Sequence, residues 1–298
     1  WGLDRRIALV VMSFVGTTPK RMVFGLMLTT TFLSAFMSNT ATAAMMVPVA
    51  MALITLVHST KAAGDPDAVT HERNFSLCIL LALADGASIG GMATLIGSPP
   101  NGIYMRFMEQ TYGQVVSIAS WMKVGVPVTL LLFIVSFFVL TGLMFRNMGG
   151  SVPGGKEWVR NELRSMGKLS TGEKAVGLCF LIAAVLWFSG AQLRGINIDG
   201  WQPFKYLTDA VIAMGMGIVP FLIPVDRKGT MAMDWKTANE AISWDVLLLF
   251  GGGLSLASAI QHTGVAQLIG AQVAVLAGSP FPVVLFGVVF IVTFATGV

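Results

Sequence analysis

Charged side chains are scarce in this sequence. Asp, Glu, Lys and Arg together make up 11% of its 298 residues, whereas hydrophobic residues make up 55%. An ordinary soluble domain has roughly 25% charged residues, so the composition excludes that class and indicates a membrane protein. Two long stretches, 22–57 and 246–298, contain none of these four residue types. We therefore expect a multi-pass protein of a plasma membrane, here a bacterial inner membrane.

Cysteine is also rare. The two cysteines, Cys78 and Cys179, lie far apart within apolar segments, so neither a disulfide framework nor a metal-binding pair is indicated. We interpret both as buried free thiols. The basic residues lie in short loops between apolar runs, which is typical of loops at an anionic membrane face and not of a nucleic-acid groove. Membrane lipid is therefore an expected partner, and nucleic acid is not.

The uncharged stretch 22–57 is too long for one transmembrane helix and has polar residues near its middle. A hairpin of two short helices that meet at Ser38 to Thr40 fits this pattern, because backbone leaves a helix at membrane depth only against protein or a watery cavity. Residues 75 to about 120 are interpreted as one span broken at Gly97 to Asn101, where "GSPPN" places two prolines. Further spans are predicted at 124–145, 175–193, 207–225 and about 243–262.

The loop 146–174 has the largest excess of basic residues, six Lys and Arg against three Glu. The positive-inside rule therefore predicts that it is cytoplasmic. Successive predicted spans cross the membrane in opposite directions. The loop near Arg194 is therefore expected outside, and the loops near Lys20 and Arg227 inside. From Trp158 onward the cytoplasmic loop has an amphipathic pattern, so we expect it to lie along the inner membrane surface, with lipid contact as the simplest role for its basic residues.

The start of the chain matches its end weakly at a fixed shift of 262 residues: Gly2, Gly16, Gly25 and Ser34 correspond to Gly264, Gly278, Gly287 and Thr296. An odd number of predicted crossings separates the two copies, so they enter the membrane from opposite sides, as the inverted repeats of secondary transporters do. We therefore predict an all-α polytopic membrane protein of the inverted-repeat transporter type, with re-entrant helical hairpins and broken helices.

This interpretation divides the chain into three parts. First-repeat transport elements occupy 1–120, connecting spans that are partly scaffold occupy 121–242, and second-repeat transport elements occupy 243–298. The chain opens at Trp1 without a signal-peptide pattern and stops within an apolar run at Val298, so we expect a fragment of a longer protein that ends before its second hairpin tip.

Polar atoms gather at the predicted hairpin tip. Ser34, Ser38 and Asn39 supply hydroxyl and amide oxygens, and the two predicted breaks free backbone carbonyls. Oxygens of these kinds suit a hard cation such as sodium. The second hairpin helix is predicted to begin near Ala41, so its free N–H groups and positive dipole end suit an anion, with Asn39 and Thr40 as donors.

Packing alone explains some of these polar residues. Single hydroxyls such as Ser34, Thr40 and Thr42 let helices pack closely, so only the cluster as a whole indicates a site. Asp85 is an acid in an apolar run and is a candidate for a proton or cation role. A local hydrogen bond or a watery edge is the favoured explanation for it.

Two stretches of the sequence resemble the divalent anion/sodium symporter family: "MSNTATAAMMVP" and "ASIGGMATLIGSPPNGI". The Ser-Asn-Thr tripeptide at a hairpin tip and the Gly-Ser-Pro-Pro-Asn break carry the resemblance, which extends over essentially the whole chain. Members of the family carry di- and tricarboxylates or sulfate. The resemblance thus implies a transporter and not an enzyme, and a homodimer in which a transport domain moves against a static scaffold like an elevator.

The resemblance also implies ligands for sodium. The first sodium site would use Ser34, Ser38 and Asn39 together with backbone at Gly97. Thr296, as the counterpart of Ser34 in the repeat, would belong to a second sodium site. The family has a second Ser-Asn-Thr in its second hairpin, and the repeat predicts it at positions 300 to 302, after the last residue of this chain.

A substrate site is implied beside the sodium. Asn39 and Thr40 would contact a substrate carboxylate. The opposite wall would be formed by the residues of the break, Ser98, Pro99, Pro100 and Asn101.

The leading hypothesis is sodium-coupled transport of a divalent organic anion, with a C4-dicarboxylate such as succinate as substrate. Two half-helix N-termini would donate to the carboxylate, and sodium would supply the countercharge, so that anion affinity depends on sodium. A carboxylate exchanger and a sulfate/sodium symporter on the same fold remain open. From other classes, an ion channel should show a continuous polar stripe and a membrane enzyme a converging set of His, Cys or acidic residues, and neither is visible.

Overall fold

The computed structural model describes residues 1–59, 67–149, 152, 154–198, 201–227, 229–242, 244–265, 268 and 279–296. Within these ranges the regular structure is helical, apart from two isolated β-bridges, Ile198–Trp201 and Pro224–Met231. The prediction of an all-α protein is therefore confirmed.

The first five helices build the hairpin and the broken span: α1 (Leu3–Val15), α2 (Pro19–Ser34), α3 (Asn39–Ser59), α4 (Ala68–Gly90) and α5 (Pro99–Tyr112). Proline stands at the first position of both α2 and α5, where its fixed φ suits a helix and its missing N–H costs nothing. A short non-helical segment therefore separates α2 from α3, and another separates α4 from α5.

The later helices are α6 (Ile118–Phe138), which continues as a π-helix to Met144, α7 (Gly155–Ser165), α8 (Thr171–Arg194), α9 (Asp209–Ile218), α10 (Trp235–Ala241), α11 (Trp244–His262) and α12 (Phe281–Thr296). A short 3-10 turn, Val219–Phe221, follows α9. Ser170 and Glu173 form a capping box that starts α8.

Three of the described helical segments are long and apolar enough to cross a membrane: Asn39–Ser59, Ile118–Met144 and Thr171–Gly190. They correspond to the second helix of the predicted hairpin and to the spans predicted at 124–145 and 175–193. The spans predicted at 207–225 and 243–262 contain shorter apolar segments, Asp209–Phe221 and Gly251–Ile260.

Helix boundaries at the site differ from the prediction in two places. The second hairpin helix starts at Asn39 and not near Ala41, and with 21 residues it is not short, because the apolar sequence runs on to Ser59 without a stop. The break in the next span begins at Gly91, directly after α4, and closes at Ser98. Asn101 therefore lies inside α5 and not in the break.

Helix α2 packs against α1, α3 and α4, and its side chains Met22, Val23 and Leu26 are fully buried. Two glycines of α4 permit the close approach of α2. A Cβ on Gly86 would lie 2.9 Å from the carbonyl oxygen of Met27, and one on Gly90 would lie 2.2 Å from that of Thr31. Small residues allow such backbone contacts between membrane helices, so the hairpin and the broken span pack as one body.

Two ion pairs connect α1 to the predicted cytoplasmic segment. Arg5 pairs with Glu162 of α7, and Arg6 Nε lies 2.7 Å from Glu173 Oε1 at the start of α8. Arg6 also donates to the carbonyl oxygens of Met166 and Gly167. The Arg6–Glu173 pair is nearly buried, with 14% and 3% of the two side chains exposed, whereas the Arg5 side chain is 55% exposed.

The chain divides into two compact units, Trp1–Ala238 and Asn239–Val298. The first contains α1 to α9, and the second contains α11 and α12. Every residue of the predicted sites except Thr296 lies in the first unit. The functional division at 1–120, 121–242 and 243–298 stays a prediction.

Candidate functional site

The hairpin tip consists of the residues between α2, which ends at Ser34, and α3, which begins at Asn39. Ser38 caps α3, because its Oγ accepts the N–H of Ala41 at 3.3 Å and its carbonyl oxygen accepts the N–H of Thr42 at 3.0 Å. One lone pair of Ser38 Oγ is thus used within the chain, and a second is left for a ligand.

Ser34 is fully buried. Its Oγ donates to the Ala87 carbonyl oxygen of α4 at 2.6 Å and lies 2.9 Å from Asn39 Oδ1. A hydroxyl has a single proton, so once that proton points to Ala87 the second contact joins two oxygen atoms. This contact is favourable when the Asn39 amide is turned so that its nitrogen donates, or when both oxygens coordinate a cation. Two of the predicted sodium ligands are therefore in direct contact.

The loop 91–98 packs against the hairpin tip through two glycines. A Cβ on Gly91 would lie 2.3 Å from Asn39 Oδ1. A Cβ on Gly97 would lie 2.8 Å from the carbonyl oxygen of Ser34 and 2.9 Å from those of Ala35 and Gly91. Three carbonyl oxygens thus surround a space that any side chain at position 97 would fill. Clustered carbonyl oxygens of this kind suit a hard cation.

Two buried polar side chains hold this loop in place. Thr94 donates to the Ala35 carbonyl oxygen and accepts the N–H of Gly97 at 3.2 Å. Asn101 donates from Nδ2 to the carbonyl oxygens of Gly91 and Thr94, each at 2.8 Å. The Asn101 nitrogen is therefore used within the chain, which leaves Oδ1 as the part of this predicted substrate residue that is free to meet a ligand.

Helix α6 supports the same region from another side. Trp121 donates from Nε1 to the Met92 carbonyl oxygen at 2.9 Å, and Thr129 donates to that of Ile89 at 3.3 Å. A Cβ on Gly125 would lie 2.7 Å from the Met92 oxygen, so α6 touches the loop closely. These donors satisfy carbonyl oxygens that lose their helical partners where α4 ends.

Two helices begin at this site, and they offer different donors. The N–H groups of Asn39 and Thr40 belong to the first turn of α3, where helical N–H groups lack intrahelical partners, and Thr40 is exposed. Helix α5 begins with Pro99 and Pro100, which have no N–H, after Ser98 as N-cap. The free donors within the described residues of these two helix starts are therefore the first N–H groups of α3 and the Ser98 hydroxyl.

Two further hydroxyls were not predicted as site residues. Thr31 in α2 and Thr42 in α3 are buried, and neither Oγ1 forms a hydrogen bond with a described residue. Leaving a buried hydroxyl without a partner costs about 1–3 kcal/mol. Thr42 lies one helical turn from Asn39. In the sequence it follows Ser38, Asn39 and Thr40 closely, and this position was the signal for including it among the polar residues of the hairpin tip.

Other candidates lie outside this cluster. Ser136 of α6 donates to Asp85 Oδ2 at 2.6 Å, so Asp85 has the local hydrogen bond that the sequence favoured. The Thr296 side chain lies outside the described residues, as do the predicted positions after Val298. Residues 86–105 contain no Asp, Glu, Lys or Arg, so uncharged oxygens and N–H groups dominate the site.

A family model described as the sodium:sulfate symporter transmembrane region matches residues 1–297. Among similar proteins, the sodium-dependent dicarboxylate transporter SdcS of Staphylococcus saprophyticus is 34% identical over 296 residues, which are 98% of this chain and 55% of that protein. SdcS of Staphylococcus aureus strain NCTC 8325 is 34% identical over 288 residues, which are 96% of this chain and 54% of that protein.

The chain spans about half the length of these curated relatives. The family match and the apolar helices identify a multi-pass plasma-membrane protein. The chain belongs to the sodium:sulfate symporter family, which is the divalent anion/sodium symporter family that its two motifs resemble.

Proposed function

We propose that the full-length protein of which this chain forms a part is a sodium-coupled carrier of C4-dicarboxylates such as succinate. The observation that carries this proposal is the position of Asn39. Its side-chain oxygen lies 2.9 Å from Ser34 Oγ in the oxygen cluster, while its backbone opens α3, where an anion finds free N–H groups. The relatives named as sodium-dependent dicarboxylate transporters support the same function.

The sodium ion in this proposal binds at the junction of the hairpin tip and loop 91–98. Its ligands are Ser34, Ser38, Asn39 and backbone at Gly97. The site fits sodium because hydroxyl, amide and carbonyl oxygens are present without a carboxylate, and sodium carries a single charge that such neutral oxygens stabilise. Thr296 stays a predicted ligand of a second sodium site.

The anion in this proposal binds beside the sodium at the start of α3. Asn39 and Thr40 donate to one carboxylate, and Ser98 donates from the other side. Pro99 and Pro100 shape the wall without supplying N–H donors, and Asn101 contributes Oδ1 and holds the loop. Residues 22–57 and 86–105, which contain these ligands, include no Lys or Arg, so sodium supplies the countercharge and its departure weakens substrate binding.

Sodium binding and anion binding are coupled in this proposal because both use Asn39. Sodium at Ser34 and Asn39 fixes the Asn39 side chain and places a positive charge next to the anion site, and so it raises anion affinity. By linkage the anion raises sodium affinity by the same factor, typically about 5-fold to 150-fold. Movement of the transport elements against a scaffold, as in an elevator, then carries both across the membrane in a homodimer.

The test is the binding of succinate by the purified full-length protein, measured by calorimetry in sodium and in potassium buffer of equal ionic strength. We expect succinate to bind at least about tenfold more tightly in sodium. Asn39→Ala should remove this difference. The matched control is Asn161→Ala, because Asn161 is exposed on α7 far from the cluster in sequence and contact. Equal affinity in both buffers for the unmodified protein would overturn the sodium-coupled function.

Transport assays separate the remaining alternatives. An exchanger would move labelled succinate only into proteoliposomes preloaded with a dicarboxylate, whereas the symporter needs a sodium gradient alone. A sulfate carrier would be inhibited by sulfate more strongly than by succinate. An ion channel would show flux that does not saturate with substrate.

A further inference from the structure

A cavity of about 710 Å³ lies between the C-terminal end of α1 and the amphipathic helix α7. It is distinct from the transport site, because its lining comes from residues 12–17 and 156–168. The sequence prediction treated this segment only as a surface that touches lipid in general. The structure gives it a definite concave shape.

One wall of the cavity is a row of cations. Lys156, Arg160 and Arg164 follow one another at intervals of four residues and share one face of α7, and Lys168 follows three residues after the helix ends. All four line the cavity. All four are exposed, and none forms an ion pair with a residue in the described ranges. Like charges at this spacing repel one another along a helix, so the row favours an anion in the cavity.

Three carboxylates lie near this row. Glu157 is in the first turn of α7, but it does not line the cavity and forms no ion pair within the described residues. Glu162 is paired with Arg5, and Glu173 is paired with Arg6. Neither glutamate lines the cavity. Arg21, at the start of α2, adds a further cation at the edge, since a Cβ on Gly16 would lie 3.3 Å from its Nη1.

The rest of the lining combines apolar and hydroxyl side chains. Leu163 of α7 is partly buried and lines the cavity, whereas Met12 of α1 and Val159 of α7 lie beneath its surface and are almost fully buried. Ser13 and Thr17 add hydroxyls to the lining. On the same part of α1, Val10 is 40% exposed and Phe14 is 85% exposed. A ligand that contacts both the cations and this surface of α1 combines an anionic group with apolar chains.

The walls are fixed by backbone contacts. Helix α1 ends at Gly16, whose φ of 99° lies in the region that favours glycine. A Cβ on Gly155 would lie 2.8 Å from Thr17 Cβ, so the first turn of α7 is packed against the chain after α1. At the other end Arg6 holds the Met166 and Gly167 carbonyl oxygens. The cavity is therefore present before a ligand binds.

We propose that this cavity binds the phosphate headgroup of an acidic phospholipid from the cytoplasmic leaflet. The phosphate meets the row of cations, and the acyl chains continue over the apolar surface of α1. Basic pockets next to membrane helices on the cytoplasmic side favour such headgroups, because the anionic leaflet supplies them at the membrane surface. A free phosphate matches the cations but leaves the exposed apolar surface of α1 at Val10 and Phe14 uncovered.

The test uses the purified full-length protein in a neutral detergent. Its melting temperature is measured with added phosphatidylglycerol, with phosphatidylcholine and with inorganic phosphate at the same phosphate concentration. We expect a rise with phosphatidylglycerol only. Each cation near an anionic surface contributes about 1 kcal/mol, or roughly 5-fold in affinity, so Arg160→Gln with Arg164→Gln should weaken phosphatidylglycerol binding by about 25-fold.

A matched double variant controls for net charge. Arg146→Gln with Arg227→Gln removes two exposed cations that do not line the cavity and should bind the lipid like the unmodified protein. Equal loss of binding in both double variants would overturn the proposal in favour of a general charge effect. An equal rise in melting temperature with inorganic phosphate would overturn it in favour of a site for a soluble anion.

Discussion

At the scale of single residues, the glycines of loop 91–98 matter for the space they leave. Asn39 Oδ1 lies 2.3 Å from the position that a Cβ of Gly91 would take, and three carbonyl oxygens surround the corresponding position at Gly97. Neither residue has a positive φ, so conformational freedom is not the reason for glycine here. The close contact between loop and hairpin tip is the reason.

Gly97→Ala tests this explanation. The added methyl group would fill the space between the carbonyl oxygens of Ser34, Ala35 and Gly91, so we expect loss of sodium-dependent succinate uptake by the full-length protein in proteoliposomes. The control is Gly102→Ala, since a Cβ there has no other heavy atom within 4 Å, and it should keep normal uptake. Normal uptake by Gly97→Ala would contradict the carbonyl cluster as a sodium site.

Thr94 offers a second test at the same scale. Thr94→Val removes the hydroxyl that joins Ala35 to Gly97 while it keeps the shape of the side chain. A lost hydrogen bond to a buried group costs about 1.5 kcal/mol, so the sodium concentration for half-maximal uptake should rise by about tenfold. Thr94→Ser keeps the hydroxyl and should restore the original value. An unchanged sodium dependence in Thr94→Val would show that the bond only stabilises the fold.

Some of these residues were accessible from the sequence and others were not. Ser34 and Asn39 stood out because polar atoms in an uncharged apolar run need a partner. Thr94 and Asn101 received no positioning role, because the bond of Thr94 joins residues 59 positions apart in the chain and motif spacing carries no information on such contacts. Sequence reasoning therefore finds the polar atoms and does not find the side chains that hold them.

At the scale of helices, the buried Arg6–Glu173 pair links α1 to α8. Both carboxylate oxygens of Glu173 accept hydrogen bonds. Oε1 accepts from Arg6 Nε at 2.7 Å, and Oε2 accepts from the backbone N–H of Ser170 at 2.7 Å. The same carboxylate thus caps α8 and compensates an arginine that is 14% exposed.

Glu173→Ala should destabilise the protein by about 3 kcal/mol, because it leaves Arg6 buried without its counterion and removes a helix cap. Glu162→Ala breaks the more exposed pair with Arg5 and should cost less than about 1 kcal/mol. Thermal unfolding of the two variants in detergent gives the comparison. Equal melting temperatures would contradict the difference in burial as the cause.

Helix positions were predicted well and helix ends less well. The spans at 124–145 and 175–193 match α6 and α8 because long apolar runs define them. The start of α3 and the early end of α4 were misplaced, because the first depends on the Ser38 cap and the second on Gly90 and Gly91 packing against α2 and Asn39. Those contacts exist only in the folded chain.

At the scale of the whole molecule, the positive-inside pattern predicts which loops face the cytoplasm. Arg164 precedes the span Thr171–Gly190 and Lys205 follows it, so the two should lie on opposite sides of the membrane. Both side chains are exposed, and both native cysteines are buried.

Cysteine labelling checks this topology in intact cells. A membrane-impermeant maleimide should label the variant Lys205→Cys from outside and should label Arg164→Cys only after the cells are opened. The unmodified protein is the control and should react weakly, since Cys78 and Cys179 are buried. Labelling of Arg164→Cys in intact cells would reverse the predicted orientation.

The bond between Trp121 and Met92 gives the protein an intrinsic optical signal at the candidate site. Indole emission responds to the hydrogen bond of Nε1, and that bond ends on loop 91–98 at 2.9 Å. When sodium or a dicarboxylate rearranges the loop, the fluorescence of Trp121 should change without any attached dye, and Trp121→Phe should abolish the change. Binding and loop movement then become measurable in real time on the unlabelled protein.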